Sequence, residues 1–232
     1  MPEIYAFGDS VLKGVVLENN KYTVCKNRFS NICENTLNIV IENKAKFGST
    51  ITTGKKSFER NKDAFANSNI EYIVLEFGGN DCDFNWKAIS ENPNIEYSAN
   101  NTIEDFIKIY TEIIESIKQY NKNPVLLSLP PIDAEKYIDR VSRGLNKENI
   151  LKWMKNNPYF LTNWHERYNI EIFKIAINNN ISIIDITSKF LEQKNYSTFL
   201  CEDGIHPNKE GHRLIYESIQ EHVKRKNIKF AW

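Results

Sequence analysis

Residues 70–77 read Ile-Glu-Tyr-Ile-Val-Leu-Glu-Phe and lead into Gly-Gly-Asn-Asp at 78–81. β-Branched and aromatic residues dominate this stretch and two glycines end it, which is typical of a buried strand that runs into a loop. Four further runs share this character and are also predicted strands: Ile4–Gly8, 37–45, 124–129 and 181–186. The sequence therefore predicts five strands.

Helical patterns lie between the predicted strands. Along one segment apolar side chains recur at helical spacing and form a single stripe: Ile103, Phe106, Ile107, Tyr110, Ile113, Ile114 and Ile117. Further helices are predicted over 26–34, 55–66, 164–178 and 207–224. Strands that alternate with helices favour a parallel sheet covered on both faces. The prediction is an α/β fold, a three-layer αβα sandwich with five parallel strands in flavodoxin-like order.

Four short polar blocks each follow the end of an apolar, strand-like run. They are Phe-Gly-Asp-Ser at 7–10, Phe-Gly-Ser-Thr at 47–50, Gly-Gly-Asn-Asp at 78–81 and Asp-Gly-Ile-His at 203–206. In an open parallel sheet the loops at the carboxyl ends of the strands converge. We therefore expect the four blocks to meet in space.

The residue types in these blocks are those that a serine nucleophile needs. A serine hydroxyl reacts well only when a base takes its proton, and His206 is the candidate base for Ser10. A carboxylate that accepts from the other ring nitrogen keeps the imidazole in the required tautomer, and Asp203 lies three residues before His206. Negative charge that develops on the attacked carbonyl oxygen must also meet fixed donors.

Together the four blocks resemble those of the SGNH (GDSL-type) hydrolase family, and the resemblance runs from Ser10 to His206, nearly the whole chain. It implies an esterase or lipase with Ser10, Asp203 and His206 as catalytic residues. It also implies an oxyanion hole formed by the backbone N–H groups of Ser10 and Gly48 and by the side-chain amide of Asn80. A glycine at 48 suits an N–H that must approach a reacting carbonyl closely.

Each block taken alone also fits a structural role. Ser10 could cap a helix, and Asn80 could be a cap or turn residue. Gly48 could be a turn glycine. The coincidence of four such blocks at strand ends favours the catalytic interpretation. The remaining histidines, His165, His212 and His222, lie in helical patterns and are expected to pack or to lie on the surface.

Two connections are longer than the scaffold needs, at about 83–101 and 132–163. Long loops beside a site are commonly lids or pocket walls, so we expect cap-like insertions near the active site. Phe84, Trp86 and Trp153 are the candidate substrate-binding residues. The same aromatic side chains could instead anchor the insertions to the core.

Composition fits one enzyme domain over residues 1–232. Thirty basic residues balance thirty acidic residues, which argues against nucleic acid or an anionic membrane as partner. No apolar run is long enough for a membrane span, and the N-terminus leads directly into the first block, so a cytoplasmic location is expected. The spacing of the four cysteines suits neither zinc nor a redox pair, and we expect no metal and no organic cofactor.

The expected activity is cleavage of a carboxylic ester through an acyl-enzyme. A small-molecule or carbohydrate ester is the expected partner, and a short acyl group such as acetyl is favoured. A thioester or a lysophospholipid is the alternative, because the family covers all of these substrates. A non-catalytic binding protein that keeps the fold would not need Ser10, Asp203 and His206 together. The sequence does not indicate the oligomeric state.

Overall fold

The computed structural model describes residues 4–66 and 68–226. Five strands form one parallel sheet, and a separate antiparallel hairpin lies after the first of them. The sheet strands are β1 (Ile4–Gly8), β4 (Ile41–Asn43), β5 (Tyr72–Glu76), β6 (Asn123–Leu127) and β7 (Ser182–Ile184), and the hairpin strands are β2 (Val15–Glu18) and β3 (Lys21–Val24). The sheet order is β4-β1-β5-β6-β7, which confirms the flavodoxin-like arrangement.

Helices cover both faces of the sheet. Their bounds are α1 (Ser10–Lys13), α2 (Phe29–Leu37), α3 (Ile51–Ala66), α4 (Trp86–Glu91), α5 (Ile103–Gln119), α6 (Ala134–Val141), α7 (Lys147–Trp153), α8 (Phe160–Asn178), α9 (Thr187–Leu191) and α10 (Lys209–Lys226), with a 3₁₀ turn at Tyr196–Phe199. The apolar stripe of α5 packs with α3 and α8 on one face. Residues of α2, α9 and α10 pack on the other face, which confirms the three-layer prediction.

The strand register aligns the first and third polar blocks. Parallel pairing places Gly8, at the end of β1, opposite Glu76, at the end of β5. The two loops that follow, from residues 9 and 77 onward, therefore leave the sheet at the same level. Because β1 is buried throughout and β5 is buried at Ile73, Leu75 and Glu76, this register is set by the core rather than by the loops.

The predicted strand at 37–45 is largely wrong. Leu37 ends α2, Asn38 adopts a left-handed conformation with φ of 53°, and only Ile41–Asn43 pairs with β1. An asparagine tolerates the left-handed region and ends a helix there, and the β-rich run conceals this signal. The helix predicted at 55–66 begins earlier, at Ile51, whose backbone N–H donates to Asp81 Oδ1 at 2.9 Å.

The β2–β3 hairpin is absent from the strands predicted from the sequence. Its turn residues Asn19 and Asn20 both have positive φ, at 50° and 60°. Two asparagines between β-branched runs are the residues that a two-residue type I′ turn favours, so the signal was present. Leu17 of β2 donates its N–H to Cys201 Sγ at 3.3 Å, which ties the hairpin to the segment before Asp203.

The two insertions pack on each other above the carboxyl end of the sheet. Helix α4 comes from the first insertion, and α6 and α7 come from the second. Their buried side chains form one apolar cluster: Phe84, Trp86, Ile89, Ile132, Tyr137, Ile150, Met154 and Leu161. We refer to the two insertions, at about 83–101 and 132–163, as the cap. None of the helices in the described residues combines the length and the apolar character that a bilayer span requires.

Candidate active site

The loop after β1 presents Ser10 at the edge of the sheet. Ser10 is the first residue of α1, and Asp9 before it accepts from the N–H of Val11 through Oδ1 at 2.8 Å. This cap holds the turn between strand and helix, because it satisfies an N–H that would otherwise lack a partner. The Ser10 side chain is thereby held at a tight strand-to-helix turn.

Ser10, His206 and Asp203 form one hydrogen-bonded chain. His206 Nε2 lies 2.8 Å from Ser10 Oγ, and His206 Nδ1 lies 2.7 Å from Asp203 Oδ2. A carboxylate accepts, so Nδ1 carries the proton and Nε2 is free to accept from the serine hydroxyl. All three residues are buried. The geometry is the one that activates a serine hydroxyl.

The loop that carries Asp203 is closed by its own hydrogen bonds. Asp203 Oδ1 accepts from the N–H groups of Ile205 and His206 at 3.2 and 3.1 Å. Burial works to raise the pKa of Asp203, but His206 and these N–H groups hold it below its ordinary value. Gly204 has φ of 75°, and a Cβ there would collide with the backbone oxygen of Asp133 at the base of the cap. A side chain at 204 would thus displace the cap from this loop.

Ser10, Gly48 and Asn80, which are expected to form the oxyanion hole, border the same cavity as His206. Neither Ser10 N–H nor Gly48 N–H donates to an acceptor in the described residues. Gly48 has φ of 69°, and a Cβ there would meet nothing within 4 Å. Gly48 thus adopts a left-handed backbone that favours glycine, and the space beside it is open to the cavity.

Beneath Ser10 lie two carboxyl groups, those of Asp9 and Glu76. Glu76 is fully buried, and its Oε2 accepts from the N–H groups of Asp9 and Leu12 at 3.4 and 3.2 Å. Its Oε1 has no donor in the described chain. Burial, and next the charge of Asp9, raises the pKa of Glu76 well above its ordinary value, and burial also raises the pKa of Asp9. Burial and the negative charge of Asp9 thus favour the protonated form of Glu76.

Asp81 ties the second polar block to the third. Its Oδ1 accepts from Ile51 N at 2.9 Å and from Asn101 Nδ2 at 2.6 Å. Burial raises the pKa of Asp81 to about 7. The carboxyl group thus lies at the N-terminus of α3, directly after Asn80 in the chain, and joins the segments that carry Gly48 and Asn80.

Two aromatic rings flank the histidine. The ring centroids of Tyr22 and Phe47 lie 5.3 and 6.0 Å from that of His206. Tyr22 comes from the unpredicted hairpin, and the Arg140 guanidinium lies 5.2 Å above its ring. Tyr22 is absent from the predicted site residues because the hairpin that carries it is absent from the predicted strands.

The cavity at Ser10 has a volume of about 330 Å³ and continues under the cap. Of the three proposed substrate-binding aromatics, Phe84 and Trp86 line it. Trp153 does not, and lies in a neighbouring cleft with its ring centroid 4.9 Å from that of Phe84. Asp83 and His165 also line the cavity, and neither was a candidate from the sequence. Asp83, like Glu76, was a charged residue inside or beside an apolar run, which is the signal that could have marked it.

The remaining histidines and the cysteines are buried or half-buried within the fold. His212 and His222 have no hydrogen-bond partner for either ring nitrogen in the described chain. Burial lowers the pKa of His212 to about 3, so its ring is a neutral packing group. Cys25, Cys33, Cys82 and Cys201 are free thiols.

Comparison with known proteins agrees with the geometry of the site. A family model described as the GDSL-like lipase/acylhydrolase family matches residues 6–214. No curated protein sequence matches the chain.

Several solved structures share the fold. A lipase/acylhydrolase from Enterococcus faecalis aligns with a TM-score of 0.69 and 16% identity over 100% of both chains. A member of the lipolytic protein G-D-S-L family from Veillonella parvula aligns with a TM-score of 0.65 and 17% identity over 97% of this chain and 100% of that one. A catalytic mutant of Axe2, an acetylxylan esterase from Geobacillus stearothermophilus, aligns with a TM-score of 0.62 and 15% identity over 95% and 93%.

Proposed function

Because the chain belongs to the GDSL-like lipase/acylhydrolase family, and is therefore an ester-hydrolysing enzyme, we propose that Ser10 is its nucleophile, with His206 as base and Asp203 as orienting carboxylate. The observation that carries the proposal is the continuous hydrogen-bonded chain from Ser10 Oγ through both ring nitrogens to Asp203 Oδ2. Such a chain supplies both the base and its tautomer control.

In the first half-reaction Ser10 Oγ attacks the ester carbonyl while His206 Nε2 takes the hydroxyl proton. The carbonyl oxygen becomes negative and meets the N–H groups of Ser10 and Gly48 and the Asn80 amide. When the tetrahedral intermediate collapses, His206 gives its proton to the leaving alcohol. The acyl group then remains on Ser10.

In the second half-reaction water takes the place of the alcohol. His206 removes a proton from the water as it attacks the acyl carbon, and the same oxyanion donors act again. His206 then returns that proton to Ser10 Oγ as the carboxylic acid leaves. The overall change is ester plus water to acid plus alcohol, and every proton passes through one imidazole.

We favour a short acyl group, with acetyl on a carbohydrate as the substrate. The cavity of about 330 Å³ lies at the lower end of the range for small-molecule sites, and the cap closes it on one side. Acetylxylan esterases are among the proteins with this fold, although at 13–18% identity the likeness extends to the fold alone. A thioester or a lysophospholipid is the alternative substrate.

Labelling with a fluorophosphonate tests the nucleophile directly, because only an activated serine reacts. We expect Ser10 to be modified in the wild-type protein and Ser10→Ala to be unlabelled. A panel of p-nitrophenyl esters of increasing chain length then tests the acyl preference. Lack of labelling together with lack of ester cleavage would support a binding protein, and a preference for long chains would support a lysophospholipase.

A further inference from the structure

The cavity at Ser10 contains two polar side chains that ester hydrolysis does not use, Asp83 and His165. Asp83 follows the third polar block by two residues, and its Oδ1 accepts three hydrogen bonds from the cap. The donors are Phe84 N at 2.8 Å, Trp86 Nε1 at 2.7 Å and Tyr137 Oη at 2.6 Å. The carboxylate is therefore held in one orientation.

All three donors bond the same oxygen of Asp83. Its other oxygen, Oδ2, has no hydrogen-bond partner within the described residues, although Asp83 borders the cavity. Buried carboxylate oxygens without donors are costly, so an oxygen left open to a cavity is suited to accept from a ligand or from water. Oδ2 is thus held in a fixed orientation, and no donor in the described chain forms a hydrogen bond with it.

His165 is the second unused polar group. It is buried, with 6% of its surface exposed, and neither ring nitrogen bonds another described residue. Burial lowers the pKa of His165 to about 4, so near neutral pH the ring is uncharged. A neutral imidazole offers one donor and one acceptor, which suits a hydroxyl group that can both accept and donate.

Aromatic side chains form much of the wall around these two groups. Phe84, Trp86 and Trp164 all line the cavity. Such a wall packs well against the apolar C–H face of a sugar ring, while the ring hydroxyls at its edge need hydrogen-bond partners. The cavity offers both kinds of surface.

We propose that the part of the cavity under the cap binds the alcohol portion of a neutral, polyhydroxylated ester, such as an acetylated pyranose. Asp83 Oδ2 accepts a hydrogen bond from a sugar hydroxyl, and His165 bonds a second hydroxyl. This assignment rests on the proposed hydrolysis of a carbohydrate ester and adds the residues, Asp83 and His165, that hold its alcohol portion.

Charge in the cavity opposes the lysophospholipid alternative. Asp83 and the Asp9–Glu76 pair border the cavity, and Arg140 is the single Lys or Arg among the described residues that line it. The Arg140 guanidinium is engaged above the Tyr22 ring. An anionic phosphate headgroup under the cap would approach the Asp83 carboxylate, and like charges in a low-dielectric site repel strongly.

The first experiment uses the wild-type protein and compares alcohols. The substrates are a monoacetylated methyl xylopyranoside, its monodeoxy analogues and cyclohexyl acetate. We expect removal of the recognised hydroxyl to lower kcat/KM about ten- to a hundredfold, the range for a hydrogen bond to a charged group. The kcat/KM for cyclohexyl acetate, which lacks all hydroxyls, should be lower by at least the same factor. If kcat/KM is the same for the xyloside ester, every deoxy analogue and cyclohexyl acetate, the proposal is overturned.

The second experiment changes only the open oxygen. Asp83→Asn keeps Oδ1 for the three cap donors and replaces Oδ2 with an amide that donates. We expect the ratio of kcat/KM between the xyloside ester and cyclohexyl acetate to fall about tenfold or more. Asp139→Asn is the matched control, because Asp139 lies exposed on α6 and pairs with Lys147. Its ratio should equal that of the wild type.

The experiments distinguish failure of the hydroxyl-binding role from failure of the proposed ester hydrolysis. If Asp83→Asn and Asp139→Asn give the same ratio as the wild type while all esters are cleaved, the hydroxyl-binding role is wrong and ester hydrolysis stands. If Ser10 resists fluorophosphonate and no ester is cleaved, the proposed function fails and this inference fails with it. The wild-type comparison of alcohols decides the matter even if Asp83→Asn does not fold.

Discussion

Asn80 donates a hydrogen bond from Nδ2 to Asp9 Oδ2 at 2.8 Å, and Asp9 is the residue immediately before Ser10. One amide hydrogen of Asn80 is thus used to fix its orientation, and the other remains for the carbonyl oxygen of a substrate. The proposed nucleophile and the proposed side-chain oxyanion donor are therefore held by the same carboxylate. The Asp9–Glu76 pair below them supports both.

Replacement of Asn80 tests its role as an oxyanion donor. Because the donor acts on charge that develops in the transition state, Asn80→Ala should lower kcat about 10²–10³-fold with little change in KM. Steady-state kinetics on p-nitrophenyl acetate, together with the melting temperature, measure this effect. If Asn80→Ala lowers the melting temperature but leaves kcat of the folded protein near that of the wild type, Asn80 is a turn residue and other donors bind the oxyanion.

Glu76→Gln tests whether Glu76 holds the proton of the buried pair. A glutamine oxygen can accept from the N–H groups of Asp9 and Leu12, as Oε2 does, and glutamine places no charge beside Asp9. We therefore expect Glu76→Gln to keep activity within a fewfold of the wild type, whereas Glu76→Ala should lose both stability and activity. A Glu76→Gln variant as damaged as Glu76→Ala would show that the charged form of Glu76 is required.

The pH dependence of stability gives an independent test of the same pair. The folded pKa of Glu76 is raised above its ordinary value of 4.5, so the folded state keeps a proton that the unfolded chain releases. The contribution of Glu76 to the free energy of unfolding should thus fall as the pH rises above 4.5, by up to about 1.4 kcal/mol per pH unit, until the folded pKa is reached. Gln does not titrate. Denaturant unfolding at several pH values measures the free energy of unfolding of both proteins. We expect that of Glu76→Gln to increase relative to that of the wild type as the pH rises.

Ser10 and His206 should act as one catalytic unit. We expect Ser10→Ala and His206→Ala each to abolish turnover to a similar degree, and the double variant to be no worse than either single variant. Rates measured at high enzyme concentration for the two single variants and the double variant test this. Losses that multiply in the double variant would mean that the two residues do not share a step.

Trp86 and Trp153 should behave differently, although both were candidates for the substrate pocket. Trp86 lines the part of the cavity proposed to hold the alcohol, so Trp86→Phe should change the ratio of kcat/KM between the xyloside ester and p-nitrophenyl acetate. Trp153 packs on Phe84 outside the cavity, so Trp153→Phe should lower the melting temperature and leave that ratio unchanged. The reverse pattern would place the alcohol portion in the neighbouring cleft.

The sequence alone was sufficient for the architecture and for the identity of the candidate catalytic residues. Apolar runs with polar blocks at their ends predict a parallel sheet, and in such a sheet the blocks must meet at one edge. The core strands β5 and β6 were predicted well because buried apolar runs leave few alternatives. The bounds of the edge strand β4 were predicted poorly. Only three of its residues pair, which is too short a run to show an alternating pattern, and α2 ends just before it.

Tertiary structure decided how the site is supported and what it can bind. The bond from Asn80 to Asp9 joins residues 71 positions apart, and the bond from Tyr137 to Asp83 joins residues 54 apart. Pairings over such distances depend on how the strands register and how the cap folds, and local patterns do not encode them. The burial of polar side chains also depends on the tertiary structure. Glu76 and His165 look like ordinary polar residues along the chain, and only the packing around them raises the pKa of the first and lowers the pKa of the second.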